Sequence, residues 1–97
     1  MSDSETILVA FHEAVRSRFF ELVEEFFANA AAINREREEL HYRQLCAGYT
    51  HTLRLELEQH AQALLHTHRN RADSAHIDRA LQGAIAEYVH AFVQRTR

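Results

Sequence analysis

The chain has 97 residues, of which 46% are hydrophobic and 26% are charged, and its formal net charge is −3. This length and composition indicate one folded domain and exclude a disordered chain. Two glycines and no prolines argue against a sheet, because strands and their turns usually need these residues. We therefore expect a single all-α domain over residues 1–97.

The cysteine content and the hydropathy of the chain indicate its cellular location. The single cysteine, Cys46, excludes an internal disulfide and fits a reducing compartment. The chain shows no run of about 20 apolar residues that would span a bilayer. It also has no basic start followed by an apolar stretch that would act as a secretion signal. We expect a cytoplasmic protein with no membrane partner.

The first predicted helix covers about residues 3–33 and is the most apolar part of the chain. Ser2 and Glu5 have the spacing of a capping box, which favours a helix start here. Apolar residues recur at intervals of three and four and cover an arc of roughly 180°, wider than the ~100° that a surface helix needs. Such a helix needs more than one neighbouring helix. Its phenylalanines are Phe11, Phe19, Phe20, Phe26 and Phe27.

Two further helices follow. Asn34 and the purely polar run after it predict a corner between helix 1 and helix 2, which covers about residues 36–69. Gly48 inside helix 2 is unfavourable by about 1 kcal/mol and suggests that another helix approaches closely there. Helix 3 is predicted over about residues 75–95. The apolar seam of helix 2 contains Tyr42, Cys46, Tyr49, Leu53, Leu57, His60 and Leu64.

These elements predict an antiparallel three-helix bundle with two long helices and a shorter third one. At 1.5 Å per residue, helix 3 is about 32 Å long and stops short of the corner between helices 1 and 2. Apolar side chains at that corner would then remain exposed, which is typical of an interface. We expect a homodimer in which two such ends form a larger helical bundle. The predicted interface residues are Phe26, Phe27, Ile33, Leu40 and Tyr42.

No motif in the sequence indicates catalysis. The chain lacks a glycine-rich phosphate loop, a Cys-x-x-Cys pair and a serine nucleophile beside a base. The first hypothesis for function is therefore a small non-catalytic interaction or regulatory protein of the adaptor, chaperone or inhibitor type. It would act as a homodimer on another protein and need no cofactor.

Nucleic-acid binding is the alternative. The outer face of helix 2 presents Arg43, His51, Arg54 and Arg69, and long helices can follow a phosphate backbone without reading bases. The sequence pI of about 6.2 and the acidic helix 1, where six acids and two arginines leave a charge of −4 over residues 1–33, argue against it.

A metal-binding bundle is the second alternative. Glu56 and His60 are four residues apart on helix 2, so they share a face, and His12 on helix 1 is the candidate third ligand. Core histidines more often only form hydrogen bonds, so we expect these three to be ordinary buried polar groups.

Overall fold

The computed structural model describes residues 3–67 and 74–97 and contains three helices: α1 (Asp3–Ala30), α2 (Glu39–Thr67) and α3 (Ser74–Thr96). Each helix packs against the other two, and together they form a rod of about 53 × 19 × 18 Å. The prediction of an all-α three-helix bundle is confirmed. Within the described ranges, no helix has an apolar stretch long enough to cross a bilayer.

Side-chain contacts establish the direction of each helix. Arg18 of α1 pairs with Glu56 of α2, whereas Phe26, later on α1, contacts Tyr49, earlier on α2. The two helices are therefore antiparallel. On α3, Tyr88 contacts His12, and the later residues contact later parts of α1, so α3 is parallel to α1.

The core is a single apolar column between the three helices. Its residues recur at three- and four-residue intervals on each helix, as the sequence predicts for amphipathic helices. Aromatic rings fill much of it and meet edge to face, a favoured packing geometry. The largest fully buried side chains are Phe11, Val15, Leu22, Phe26, Leu53, Leu57, Ile77, Leu81 and Phe92.

Asn34 organises the corner between α1 and α2. Its side-chain oxygen accepts hydrogen bonds from the backbone N–H groups of Glu36 and Arg37, both at 3.1 Å. Its own N–H donates to a carboxylate oxygen of Glu38 at 3.2 Å. Asn34 thus caps the single turn over residues 35–37, which precedes α2, by accepting from N–H groups as an N-cap residue does. α1 ends at Ala30, three residues before the predicted end, and α2 begins at Glu39, three residues after the predicted start.

The shorter hairpin changes what α3 covers. Because α1 and α2 lose residues at the corner, α3 reaches it, and the Tyr42 hydroxyl donates a 2.6 Å hydrogen bond to the carbonyl of Thr96. Phe26 is 0% exposed, and its ring centroid lies 6.0 Å from that of Phe92. The expectation that Phe26 faces a partner chain is therefore wrong, because this side chain belongs to the core of a single chain. Tyr42 is half-buried against α3 of its own chain, and its role in an interface stays a prediction.

Gly48 also differs from the expectation. A Cβ atom added there would meet no atom within 4 Å, so no helix approaches closely at this position. The same holds for Gly83 on α3.

Candidate functional site

A groove with a volume of about 720 Å³ lies between the first half of α2 and the last turn of α3. This volume falls within the range of about 300–1,000 Å³ that is typical of ligand sites. We call it the arginine groove. Its lining residues are Arg35, Tyr42, Arg43, Cys46, Ala47, Thr50, His51, Arg54, Val93, Thr96 and Arg97.

Helical periodicity brings the α2 residues of the groove together. Arg43, Ala47, Thr50 and Arg54 are separated by four, three and four residues, so they share one face of α2. Two arginines therefore lie on this face, one on each side of the small residue Ala47 and the half-buried Thr50.

The corner and the end of α3 form the remaining wall. The Arg35 guanidinium lies 4.5 Å from the centroid of the Tyr42 ring, which is cation–π geometry. It also donates a 3.3 Å hydrogen bond to the carbonyl of Arg97. The Cys46 thiol donates a longer hydrogen bond, 3.9 Å, to the carbonyl of Thr96. These contacts hold the last turn of α3 against α2 and give the groove a defined shape.

The charged side chains that line the groove are all basic. Four guanidinium groups and one imidazole line it, and no carboxylate side chain does. The ion pairs found among the described residues leave Arg54 and Arg97 without a carboxylate partner. Arg43 pairs with Glu39 at 2.8 Å, but both side chains are at least 66% exposed, so the pair contributes at most about 1 kcal/mol. A cleft lined by one sign of charge concentrates ions of the opposite sign.

Charge is segregated around the bundle, which explains how a basic groove fits a chain of net charge −3. α1 carries exposed carboxylates and contributes no residue to the arginine groove. The low pI therefore averages an acidic α1 and a basic groove, and it does not describe either surface.

Three of the four predicted nucleic-acid contacts, Arg43, His51 and Arg54, line this groove. Arg69 lies outside the described residues. The sequence reasoning missed Arg35 and Arg97, which are 62 residues apart and meet only through the fold. No local pattern could have found that pair.

The three candidate metal ligands do not converge. His12 is exposed and its Nδ1 shares a 2.9 Å hydrogen bond with the hydroxyl of Tyr88. Glu56 instead accepts two hydrogen bonds from Arg18, at 2.8 and 3.2 Å, and His60 is exposed. Within the described ranges, no group of three potential ligands could hold a metal ion.

The Arg18–Glu56 pair joins α1 to α2. The hydrogen bonds to Glu56 raise the pKa of the Arg18 guanidinium above its usual value, partly offset by burial. Bidentate pairs of this kind are the stronger class of ion pair. Glu56 thus stabilises the bundle. The expectation that His12, Glu56 and His60 are buried polar groups is wrong for the two histidines, which are exposed, whereas the Glu56 side chain is 31% exposed.

The remaining predicted interface residues lie at or near the corner. Phe27 is 46% exposed and Leu40 is 70% exposed, whereas Ile33 is half-buried. Comparison of the chain with protein-family models, with curated proteins and with solved structures finds no match.

Proposed function

We propose that this protein is a small, non-catalytic binding protein whose arginine groove contacts the phosphates of a nucleic acid. One observation carries the proposal: four arginines from three parts of the chain line one groove that contains no carboxylate side chain. Like charges repel one another, so such a cluster is unfavourable for folding. Residues that act against stability are often retained for binding.

The type of charge favours phosphate. Guanidinium groups form bidentate hydrogen bonds with phosphate oxygens, and they lose less hydration free energy than ammonium groups when they do so. Every basic residue of the chain other than histidine is an arginine. Because the groove lies along a helix and is open at the surface, it suits a backbone that passes through it.

Binding through phosphates makes a quantitative prediction. If four arginines each neutralise one phosphate of a duplex, the slope of log K against log salt is about −3.6. Affinity then falls roughly 150-fold between 50 and 200 mM salt. Fluorescence anisotropy with a labelled 20-base-pair duplex and a labelled 20-nucleotide single strand, each over a salt series, measures the slope for both forms.

Arg54 offers the sharpest variant, because it lines the groove and has no carboxylate partner among the described residues. Arg54→Gln should weaken binding and make the slope of log K against log salt less steep by about 0.9, which is the contribution of one phosphate contact. Arg79→Gln is the matched control, because Arg79 is exposed on α3 and outside the groove. Equal effects of the two substitutions, or no binding at 25 mM salt, would exclude the proposal.

A competitor separates nucleic acid from acidic protein partners. Extended polyglutamate carries about one negative charge per 3.5 Å, close to the charge spacing of a single nucleic-acid strand, and it has no phosphate. If it displaces the labelled strand at the same charge concentration as unlabelled duplex, the groove recognises negative charge alone and the nucleic-acid assignment is wrong.

Homodimerisation through the corner is a second candidate, and the exposure of Phe27 and Leu40 favours it. A stable interface needs about 800 Å² per partner, which two side chains supply only in part. We therefore expect weak association. Light scattering over a concentration series should show an average mass that rises from 11.3 kDa towards twice that value. The rise with concentration should be smaller in the Leu40→Asp variant. A constant mass of 11.3 kDa at millimolar protein would remove this candidate.

A further inference from the structure

A second groove lies between α1 and α3 and shares no residue with the arginine groove. Its volume is about 270 Å³. Residues four apart on the two parallel helices form its walls: His12, Arg16 and Phe20 on α1, and Glu87, Ala91 and Arg95 on α3. Two helical rows of the same spacing therefore face one another.

Aromatic side chains form the apolar part of this second groove. Phe19 and Tyr88 line it with ring centroids 5.3 Å apart, and Phe20 is 42% exposed. Ala91 presents only a methyl group on α3, between Glu87 and Arg95 in the row, and it lines the groove together with the three aromatic residues.

Each end of the groove is held by a polar contact. At one end, His12 and Tyr88 share a hydrogen bond of 2.9 Å. Burial raises the pKa of the Tyr88 hydroxyl, with Arg16 partly offsetting the change, so the hydroxyl stays neutral. At the other end, the Arg95 guanidinium lies 5.5 Å from the Phe20 centroid and 5.8 Å from the Phe19 centroid.

The charge of the second groove is also positive. Arg16 and Arg95 line it together with one carboxylate, Glu87. None of these three side chains belongs to an ion pair among the described residues. Two guanidinium groups and one carboxylate therefore line the same groove as the aromatic side chains, which gives these side chains a net charge of about +1.

We propose that this second groove binds a small aromatic acid, meaning a molecule with one aromatic ring and one carboxylate. The ring would pack in offset or edge-to-face geometry against the exposed ring of Phe20 and the half-buried ring of Tyr88, while Phe19, only 4% exposed, lies beneath them. The carboxylate would accept hydrogen bonds from Arg16 or Arg95. The volume of 270 Å³ lies just below the usual range for drug-sized ligands, which selects a single-ring molecule.

Three probes separate the parts of this proposal. Phenylacetate has the ring and the charge, phenylacetamide has the ring without the charge, and cyclohexylacetate has the charge without the aromatic ring. We expect phenylacetate to bind with a dissociation constant of about 1 mM, given its small number of atoms. The other two should bind at least fivefold more weakly. Amide chemical shifts measured by NMR during titration should change at residues 12–20 and 87–95.

Matched variants test the location. Phe20→Ala and Arg95→Gln should each weaken phenylacetate binding at least fivefold. Phe27→Ala is the control for Phe20, because it removes an equally exposed phenylalanine outside the groove. Arg79→Gln is the control for Arg95. Thermal melting followed by circular dichroism checks that each variant folds. If Phe20→Ala does not fold, Arg95→Gln still tests the location.

The proposal is wrong if phenylacetamide binds as tightly as phenylacetate, since the arginines would then contribute nothing. It is also wrong if the shifts occur around Arg54 and Arg97, or if Phe27→Ala weakens binding as much as Phe20→Ala. Failure of the nucleic-acid experiment has no bearing on these outcomes, because the two grooves share no residue.

Discussion

Two neighbouring phenylalanines with different burial provide the most direct test of the structure. Phe26 is 0% exposed, whereas Phe27 is 46% exposed. Phe26→Ala and Phe27→Ala remove the same atoms from adjacent positions of α1. Helix propensity changes equally in both, so any difference in stability reports burial alone.

The expected magnitudes differ several-fold. The Phe26 ring meets the rings of Tyr42, Tyr49 and Phe92 at centroid distances of 5.7, 5.8 and 6.0 Å, all edge to face. Its truncation creates a cavity at the centre of the core, and such substitutions cost about 3–5 kcal/mol. Phe27 is about half buried and leaves no closed cavity. Since full burial of a phenylalanine is worth about 1.5–3 kcal/mol, its truncation should cost about 1 kcal/mol.

Urea denaturation followed by circular dichroism, at low protein concentration, measures both values. A loss of 3–5 kcal/mol is a large part of the 5–15 kcal/mol that usually stabilises a domain, and it corresponds to roughly 12–40 °C in melting temperature. Phe26→Ala should therefore be partly unfolded or melt far below the wild type. If the free energies of unfolding of the two variants differ by less than about 1 kcal/mol, α3 does not cover Phe26 at the corner.

Three further predictions concern local features. Gly48→Ala should raise the free energy of unfolding by about 0.5–1 kcal/mol, because the added methyl meets no atom and alanine favours helix; a loss measured by urea denaturation would contradict the open space there. Asn34→Ala should lower the free energy of unfolding by about 1 kcal/mol because the cap is lost. An unchanged urea midpoint would contradict the capping role. Burial raises the pKa of Tyr88 above its ordinary value of 10.0, so the folded state holds this proton more tightly than the unfolded state. The stability that this group contributes is present below pH 10 and is lost as the pH rises through the raised pKa. Urea midpoints measured from pH 8 to 11 should therefore fall less steeply with pH in Tyr88→Phe than in the wild type.

Much of the fold was predictable because it depends on local patterns. The three- and four-residue spacing of Phe11, Val15, Phe19 and Leu22 indicates an amphipathic helix whatever its surroundings. All four side chains are buried. The polar run after Asn34 likewise marks a corner, because a run without apolar residues cannot face a core.

The candidate sites were predictable only in part. Arg43, His51 and Arg54 lie on one face of one helix, so sequence alone groups them. The sequence does not identify the partner of Glu56, because Arg18 is on another helix. The residue spacing predicts His60 on the apolar seam, yet His60 is exposed and Ala61 is buried instead. Small changes in the direction of the seam along a long helix decide such cases.

Residue spacing alone predicts three amphipathic helices and the apolar side of each one. How far α3 extends along the other two helices follows only from the packing of the folded chain. That extent buries Phe26, brings Arg97 beside Arg35 and places Arg95 over Phe20. The reason is physical: helix periodicity is set by neighbours three and four residues away, whereas helix ends and grooves depend on contacts between residues far apart in the chain.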